Sequence, residues 1–344
     1  PLADVVWPVA DAPTARERAR ARAASAPPVA PESIAPLETV EARGALRHQG
    51  ALSAGALEAY ANCPVKWLVE RELDPKALEP KADYFERGNY AHEVLETTLR
   101  RLKAEYGSAR ITEASLPDAR AVLAEALESE RGKFTLGATP GTAAGTARRV
   151  RADLERYLEY CAAQAQDGDP EPEFFELAFG FDEEGGYPAL ELGDGEVQLR
   201  GRVDRVDVDR GARTAVVHDY KSGAGKRDYH GANWEEERQL QVALYMLLMR
   251  RALELEPIGG LYQPLRGEKI GPRGVFLDEA DPGKRHPNGD RQSREQIEEV
   301  MCRAEERAVE LAARLRAGEL APSPATCSSR GGCAYPGICR GPGA

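Results

Sequence analysis

No run of about 18 uncharged apolar residues occurs in this 344-residue chain, and its start lacks the basic-then-apolar order of a signal peptide. Membrane insertion and secretion are therefore not expected, which leaves the cytoplasm as the expected compartment. An excess of basic residues is missing too: 46 Lys and Arg face 57 Asp and Glu, for a formal net charge of -11. An extended phosphate-binding face normally carries surplus cations. The acidic balance therefore argues against a nucleic-acid partner, although clusters such as Arg148, Arg149 and Arg151 or Lys226 and Arg227 can form a local positive lane on an acidic chain. The Gly-x-x-x-x-Gly-Lys-Ser/Thr phosphate loop is also absent, which argues against ATP hydrolysis or duplex unwinding by this chain alone.

The chain has enough apolar content, 42%, to bury a sizeable core as one large domain or as one domain with a helical insertion. Residues 1–47 are rich in Ala, Pro, Glu and Arg with few large apolar positions, and read as a leader or linker, or as a piece of a longer polypeptide. Residues 48–344 are expected to form the functional domain, with a helical insertion over 108–167 and a cysteine-rich tail over 320–344. Ser53 caps a helix through Leu57, Tyr60 and Trp67 that breaks at Cys63-Pro64. A second helix over 84–105 sets His92, Leu95 and Leu99 on one face. Helices over 113–165 are interrupted by a Gly/Thr/Ala/Pro loop over 135–147. Strands follow at 173–179, 196–208 and 214–221, the last two joined by a turn at Asp209-Arg210-Gly211. After a helix over 235–254 come short strands at 258–265 and 274–277, a polar loop over 280–292, and a long helix from Ser293 through Leu315.

The chemistry is concentrated in two of these strands. Strand periodicity of two sets Asp219 and Lys221 on one face, and antiparallel pairing can bring Asp204 beside Asp219. Two carboxylates so placed repel unless one is protonated or a cation lies between them. Mg²⁺ or Mn²⁺ suits oxygen donors from Asp204 and Asp219 with the carbonyl of Tyr220, and leaves positions for water and a phosphate oxygen. Lys221 is then placed to orient or deprotonate a water, or to offset charge on a phosphorane. Gln241 and Tyr245, four apart, project from one side of their helix and can meet this end of the sheet. The plainer alternative packs Tyr245 in the core with Gln241 at its flank. His92 is either a satisfied core histidine or a third, neutral metal ligand, with Glu96 as a candidate partner for its second nitrogen.

Cysteines mark both ends of the domain. Cys63 lies ahead of the strands, and Cys327, Cys333 and Cys339 lie in the tail with five residues in each gap. Four thiolates can hold one [4Fe-4S] cluster or one Zn²⁺, and these spacings leave the choice open. Cys161 and Cys302 fall in helical patterns and read as ordinary buried or half-buried side chains.

Gly88-x-x-x-His92, Gly201-Arg202-Val203-Asp204-Arg205-Val206-Asp207, Asp219-Tyr220-Lys221-Ser222-Gly223 and Gln241-Val242-Ala243-Leu244-Tyr245 closely resemble the ordered motifs of the PD-(D/E)XK nuclease superfamily in its RecB-like branch. The resemblance spans most of residues 52–340. It implies an α/β, restriction-endonuclease-like fold with a mixed central sheet flanked by helices, and metal-assisted phosphodiester hydrolysis. It also implies His92, Asp204 and Asp219 as metal ligands, Lys221 as the catalytic lysine, and Gln241 and Tyr245 as the helix-borne motif. The cysteine arrangement resembles that of AddB-type helicase-nuclease subunits and certain CRISPR adaptation exonucleases, where a structural iron–sulfur cluster joins the ends of the nuclease domain. AddB-type tails have a shorter gap where Cys327 and Cys333 stand. The expected function is a metal-dependent deoxyribonuclease, acting as an exonuclease on single-stranded or end-bearing DNA in repair or recombination, with a helicase subunit or fused helicase module. A free-standing single-strand exonuclease and a catalytically silent DNA-binding scaffold are the alternatives.

Overall fold

The computed structural model describes residues 7–25, 34–75, 83–182, 186–224, 229–235, 238–267, 269–323 and 335–339. In chain order the elements are α1 (Ala15–Ser25), α2 (Val40–Gly44), α3 (Ala54–Asn62), α4 (Pro64–Trp67), α5 (Asp83–Tyr106), α6 (Leu116–Glu130), α7 (Pro140–Gln164), β1 (Glu171–Phe179), β2 (Leu190–Leu192), β3 (Val197–Leu199), β4 (Gly201–Asp209), β5 (Thr214–Ala224), α8 (Gln241–Ala252), β6 (Glu256–Arg266), β7 (Arg273–Leu277), β8 (Arg291–Gln292), α9 (Arg294–Arg316) and α10 (Pro336–Cys339). Six strands form one mixed sheet in the order β1-β4-β5-β6-β7-β8. β4 pairs antiparallel with β1 and with β5, whereas β5 and β6 run parallel and are joined through α8. This is the restriction-endonuclease-like arrangement, a mixed sheet flanked by helices.

Two apolar cores cover the two faces of the sheet. Alternation turns Ala215 and Val217 toward one face, where they pack with Leu57 and Tyr60 of α3, Val242 and Met246 of α8, and Met301 and Leu311 of α9. Tyr220, Phe175 and Leu265 face the other core, which they share with Leu95 and Leu99 of α5, Leu123 of α6 and Leu154 of α7. Within the 108–167 segment α7 packs against β6, whereas α6 buries its apolar stripe against α5 and α7. Each fully buried leucine there contributes roughly 2 kcal/mol.

Four local expectations are corrected. The strand expected over 196–208 is two strands: β3 pairs with β2 in a separate two-stranded sheet, because the N–H of Arg200 between them donates to Leu52 O at 2.8 Å. The loop expected over 135–147 is half helix. Thr139 and Thr142 form a reciprocal capping box and Pro140 occupies the first turn, so α7 begins inside it. The helix expected from 235 begins only at Gln241, since the preceding chain is drawn inward at Trp234, whose indole N–H donates to Tyr229 O at 3.1 Å. Cys302 is exposed on α9, whereas Cys161 is half-buried. By contrast α9 starts where Ser293 predicts, with a capping box to Gln296. Among the described residues no helix is long and apolar enough to cross a membrane.

Candidate active site

The β4–β5 ladder brings the motif strands together. Arg205 pairs with His218 and Val206 with Val217, so Asp204 and Asp219 come next, where the strands part. The Tyr220 N–H there donates to the Asp204 carboxylate in place of a ladder bond. Asp219 is buried, with its Oδ2 2.5 Å from Lys221 Nζ. Lys221 Nζ also donates to Gln241 Oε1 at 3.2 Å and lies 5.0 Å from the centroid of the Tyr262 ring. The Gln241 amide in turn donates to the Tyr245 hydroxyl at 3.1 Å. A continuous polar chain thus runs Asp219–Lys221–Gln241–Tyr245. The Tyr245 ring is also packed edge-on against Phe179, so this tyrosine belongs to the core while its hydroxyl joins the polar chain.

His92 arrives from α5. A Cβ at Gly88 would stand 3.0 Å from Ser222 Oγ, so glycine lets the helix pass close to the end of β5, and one turn later the imidazole reaches the carboxylates. His92 Nδ1 lies 3.6 Å from Asp204 Oδ1 and 4.0 Å from Glu176 Oε1. One donor atom from each of His92, Glu176 and Asp204 falls within 4.8 Å of the others. Glu96, the expected partner of His92, is instead paired with Arg100 at 2.8 Å.

Sequence reasoning missed Glu176. Its signal was a lone carboxylate in the apolar run of β1, between Phe175, opposite Arg205, and Leu177, opposite Val203. Its φ is +50°, a left-handed conformation that costs a non-glycine strand residue on the order of 1 kcal/mol. Glu58 of α3 was missed as well. Its carboxylate accepts from the backbone N–H groups of Leu240 and Gln241 at 2.7 and 2.8 Å, and so caps the α8 end that carries Gln241.

The electrostatics of this cluster call for a cation. Burial disfavours a charged His92, but Asp204 and then Glu176 outweigh it and hold the imidazole up to about 9. Burial pushes Glu176 up to about 7, with Asp204 adding to the rise. Burial likewise takes Asp219 to about 7 against the pull of Lys221. Burial opposes the charge on Lys221, yet Asp219 keeps its pKa above the ordinary value. Protons and Lys221 thus supply countercharge to three clustered carboxylates. One imidazole nitrogen and converging carboxylate oxygens are a donor set that suits a divalent ion such as Mg²⁺ or Mn²⁺. His92, Glu176 and Asp204 form its converging part, and Asp219 stands beside them, turned to Lys221.

Two of the four end cysteines can be placed. Cys63, in extended conformation between α3 and α4, and Cys339 of α10 are both buried thiols in one small cluster with Val65. Cys327 and Cys333 lie outside the described residues, as do Lys226 and Arg227. Arg148 and Arg149 are exposed on α7, while Arg151 stands 3.9 Å from Glu128 and 4.0 Å from Glu155.

Residues 51–340 match the PD-(D/E)XK nuclease superfamily. A Clostridium tetani protein, named as the B-type subunit of an ATP-dependent helicase/deoxyribonuclease, is 27% identical over 226 residues, 61% of this chain and 19% of its own length. Proteins of the same name are 30% identical over 271 residues in Moorella thermoacetica, 72% of this chain and 22% of the relative, and 35% identical over 130 residues in Symbiobacterium thermophilum, 34% and 11%. The chain spans about a fifth of the length of the first two relatives.

Proposed function

The chain belongs to the PD-(D/E)XK nuclease superfamily, and from that footing we propose that it is a metal-dependent deoxyribonuclease that hydrolyses single-stranded DNA or DNA ends. The observation that carries this reading is the convergence of His92, Glu176 and Asp204 beside the Asp219–Lys221–Gln241–Tyr245 chain. In this reading His92, Asp204, Asp219 and the Tyr220 carbonyl hold Mg²⁺ or Mn²⁺, with Glu176 as a further oxygen donor. When bound, the ion supplies Lewis-acid polarisation of the phosphate and a water of lowered pKa. Lys221, kept protonated by Asp219, offsets charge on the phosphorane, a role its raised pKa favours over that of a base. Gln241 orients Lys221, and the neutral Tyr245 hydroxyl steadies Gln241.

The names of the relatives support a setting as part of, or beside, a helicase; in this proposal the nuclease works in the cytoplasm, in repair or recombination, with exonucleolytic action. Cys63, Cys327, Cys333 and Cys339 hold a structural [4Fe-4S] cluster in this proposal, with Zn²⁺ the alternative occupant. The buried meeting of Cys63 and Cys339 supports a shared site. Anaerobically purified protein should be brown with about four irons per chain; stoichiometric zinc without iron overturns the cluster. For the activity, end-labelled single-stranded DNA should be cleaved with Mn²⁺ by the wild-type chain and not by Asp219→Ala. Equal product from both proteins overturns the site.

A further inference from the structure

The lysine of the site lies against a ring that takes no part in the chemistry above. Tyr262 stands directly across the β5–β6 ladder from Asp219, so strand alternation puts its side chain on the face that carries Asp219 and Lys221. That face is closely covered. At Gly260, two residues earlier on β6, a Cβ would come 2.5 Å from Met246 Sδ and 2.6 Å from Val242 Cγ1. Glycine there lets α8 lie almost on the strand, and Tyr262 fills the next place along the same face. Its ring is fully buried. Tyr229 stacks on it with centroids 5.0 Å apart and planes inclined by 29°, and Trp234 meets it nearly at right angles, at 5.7 Å and 77°. Both of these rings are buried as well, and the Trp234 indole N–H joins them by donating to Tyr229 O at 3.1 Å. Three rings from two stretches of chain thus pack as one block, and Lys221 Nζ lies over the Tyr262 ring, 5.0 Å from its centroid.

Resting on the nuclease reading, we propose that Tyr262 is a positioning residue for the hydrolysis: its ring face seats the Lys221 ammonium, and the Tyr229 and Trp234 rings brace that seat. A lysine side chain has much rotamer freedom to lose, and an ammonium is a point charge with rotatable donors that impose little direction of their own. Asp219 of β5 and Gln241 of α8 hold it from two elements; the ring holds it from a third, β6. A carboxylate in the place of Tyr262 would be a further acidic group beside Glu176, Asp204 and Asp219, adding to the repulsion among them. The ring instead attracts the cation through its quadrupole and brings no formal charge and no competing metal ligand. Burial strengthens the contact, because a desolvated cation–π pair is worth more than an exposed one. The inward course of the chain at Trp234, which delays the start of α8 to Gln241, acquires a purpose in this reading: it supplies the rings that keep Tyr262 in place.

Phenylalanine and its mono-, di- and trifluoro forms at position 262 test the seat, because each fluorine withdraws charge from the ring face while the shape hardly changes. Tyr262→Phe should keep kcat within about threefold of wild type, and kcat should then step down by about tenfold in all to the trifluoro ring. KM, apparent Mn²⁺ affinity and thermal melting should stay level across the series. The metal-free protein, carrying isotope-labelled lysine, gives a second reading by NMR that needs no activity. The ε-methylene signal that vanishes in Lys221→Ala should be shifted upfield by the ring in wild type and in Tyr262→Phe, and should return to the ordinary lysine position in Tyr262→Leu. A flat fluorine series in an active enzyme, a kcat that falls only where the melt falls with it, or an unshifted Lys221 signal in wild type overturns the seat and leaves the nuclease reading standing. A wild-type chain that cleaves no DNA in Mn²⁺ overturns the nuclease reading and, with it, the role of the ring in hydrolysis, whatever the NMR shift.

Discussion

Glu58 carries no chemistry, yet its removal should disable the site. One carboxylate oxygen accepts both the Leu240 and the Gln241 N–H, at 2.7 and 2.8 Å, and the N-cap residue of α8, Leu240, has no side-chain oxygen to do so. Deleting a helix cap costs about 1–2 kcal/mol, and a hydrogen bond to a charged acceptor about 1.5–3 kcal/mol. Two such bonds would exceed that cap value, but burial pushes the Glu58 carboxyl above its ordinary pKa despite them and despite Lys221, so desolvation already offsets part of the gain. A net loss of about 2–3 kcal/mol for Glu58→Ala follows, or about 5–10 °C in Tm at 2–4 °C per kcal/mol for a large domain. Gln241 sits at the freed end and holds Lys221 at 3.2 Å, and a misplacement of about 1 Å costs about 10²-fold in rate. We therefore expect kcat to fall about 10- to 100-fold with KM nearly unchanged. Glu58→Gln keeps one acceptor oxygen and should recover about half of the melting loss. Thermal melts read by circular dichroism, paired with steady-state hydrolysis, make the measurement. A Glu58→Ala protein with wild-type melting and wild-type kcat would refute the reasoning.

Other perturbations follow from the same geometry. His92 is held up to about 9 by its carboxylate neighbours and must be neutral to bind a metal, so apparent Mn²⁺ affinity should climb from pH 6 toward pH 9 with proton release; calorimetry in two buffers showing no proton transfer counts against this. Gly88→Val should push α5 away from Ser222 and weaken Mn²⁺ binding at least tenfold with modest loss of stability, whereas unchanged affinity would mean that this close approach is idle. Burial alone would raise Asp207, but Arg205, bidentate to it, and His218 hold its carboxyl well below the usual range. Its folded pKa is thus depressed below an unfolded value of about 3.9, so its contribution is present above that pH and lost as pH falls through the folded value. Asp207→Asn should cost about 3–5 kcal/mol at pH 7 by leaving Arg205 buried without its partner, and the deficit relative to wild type should narrow in acid; a deficit that stays constant down to pH 2 argues against the pair.

Local order was legible because it depends on short-range periods. Alternation alone set Asp219 beside Lys221, four-residue spacing set Gln241 beside Tyr245, and Ser293 with Gln296 announced α9. Where local signals competed with distant partners, they misled. Arg200 breaks a strand because Leu52 takes its N–H, and α8 begins at Gln241, where Glu58 caps it from 183 residues earlier in the chain.

The sequence by itself determined the motif order, the shared faces and the kind of ion that such donors suit, since all of these follow from residue chemistry and the fixed periods of strand and helix. Only the tertiary structure decided that Glu176 joins His92 and Asp204, that Glu58 rather than a local residue caps α8, that Cys63 meets Cys339, and that the Tyr262 ring lies against Lys221. The physical reason is that these are meetings of side chains from separate elements. They come about when apolar faces are buried on the two sides of one sheet, and no local period in the chain encodes which polar groups that burial will bring together.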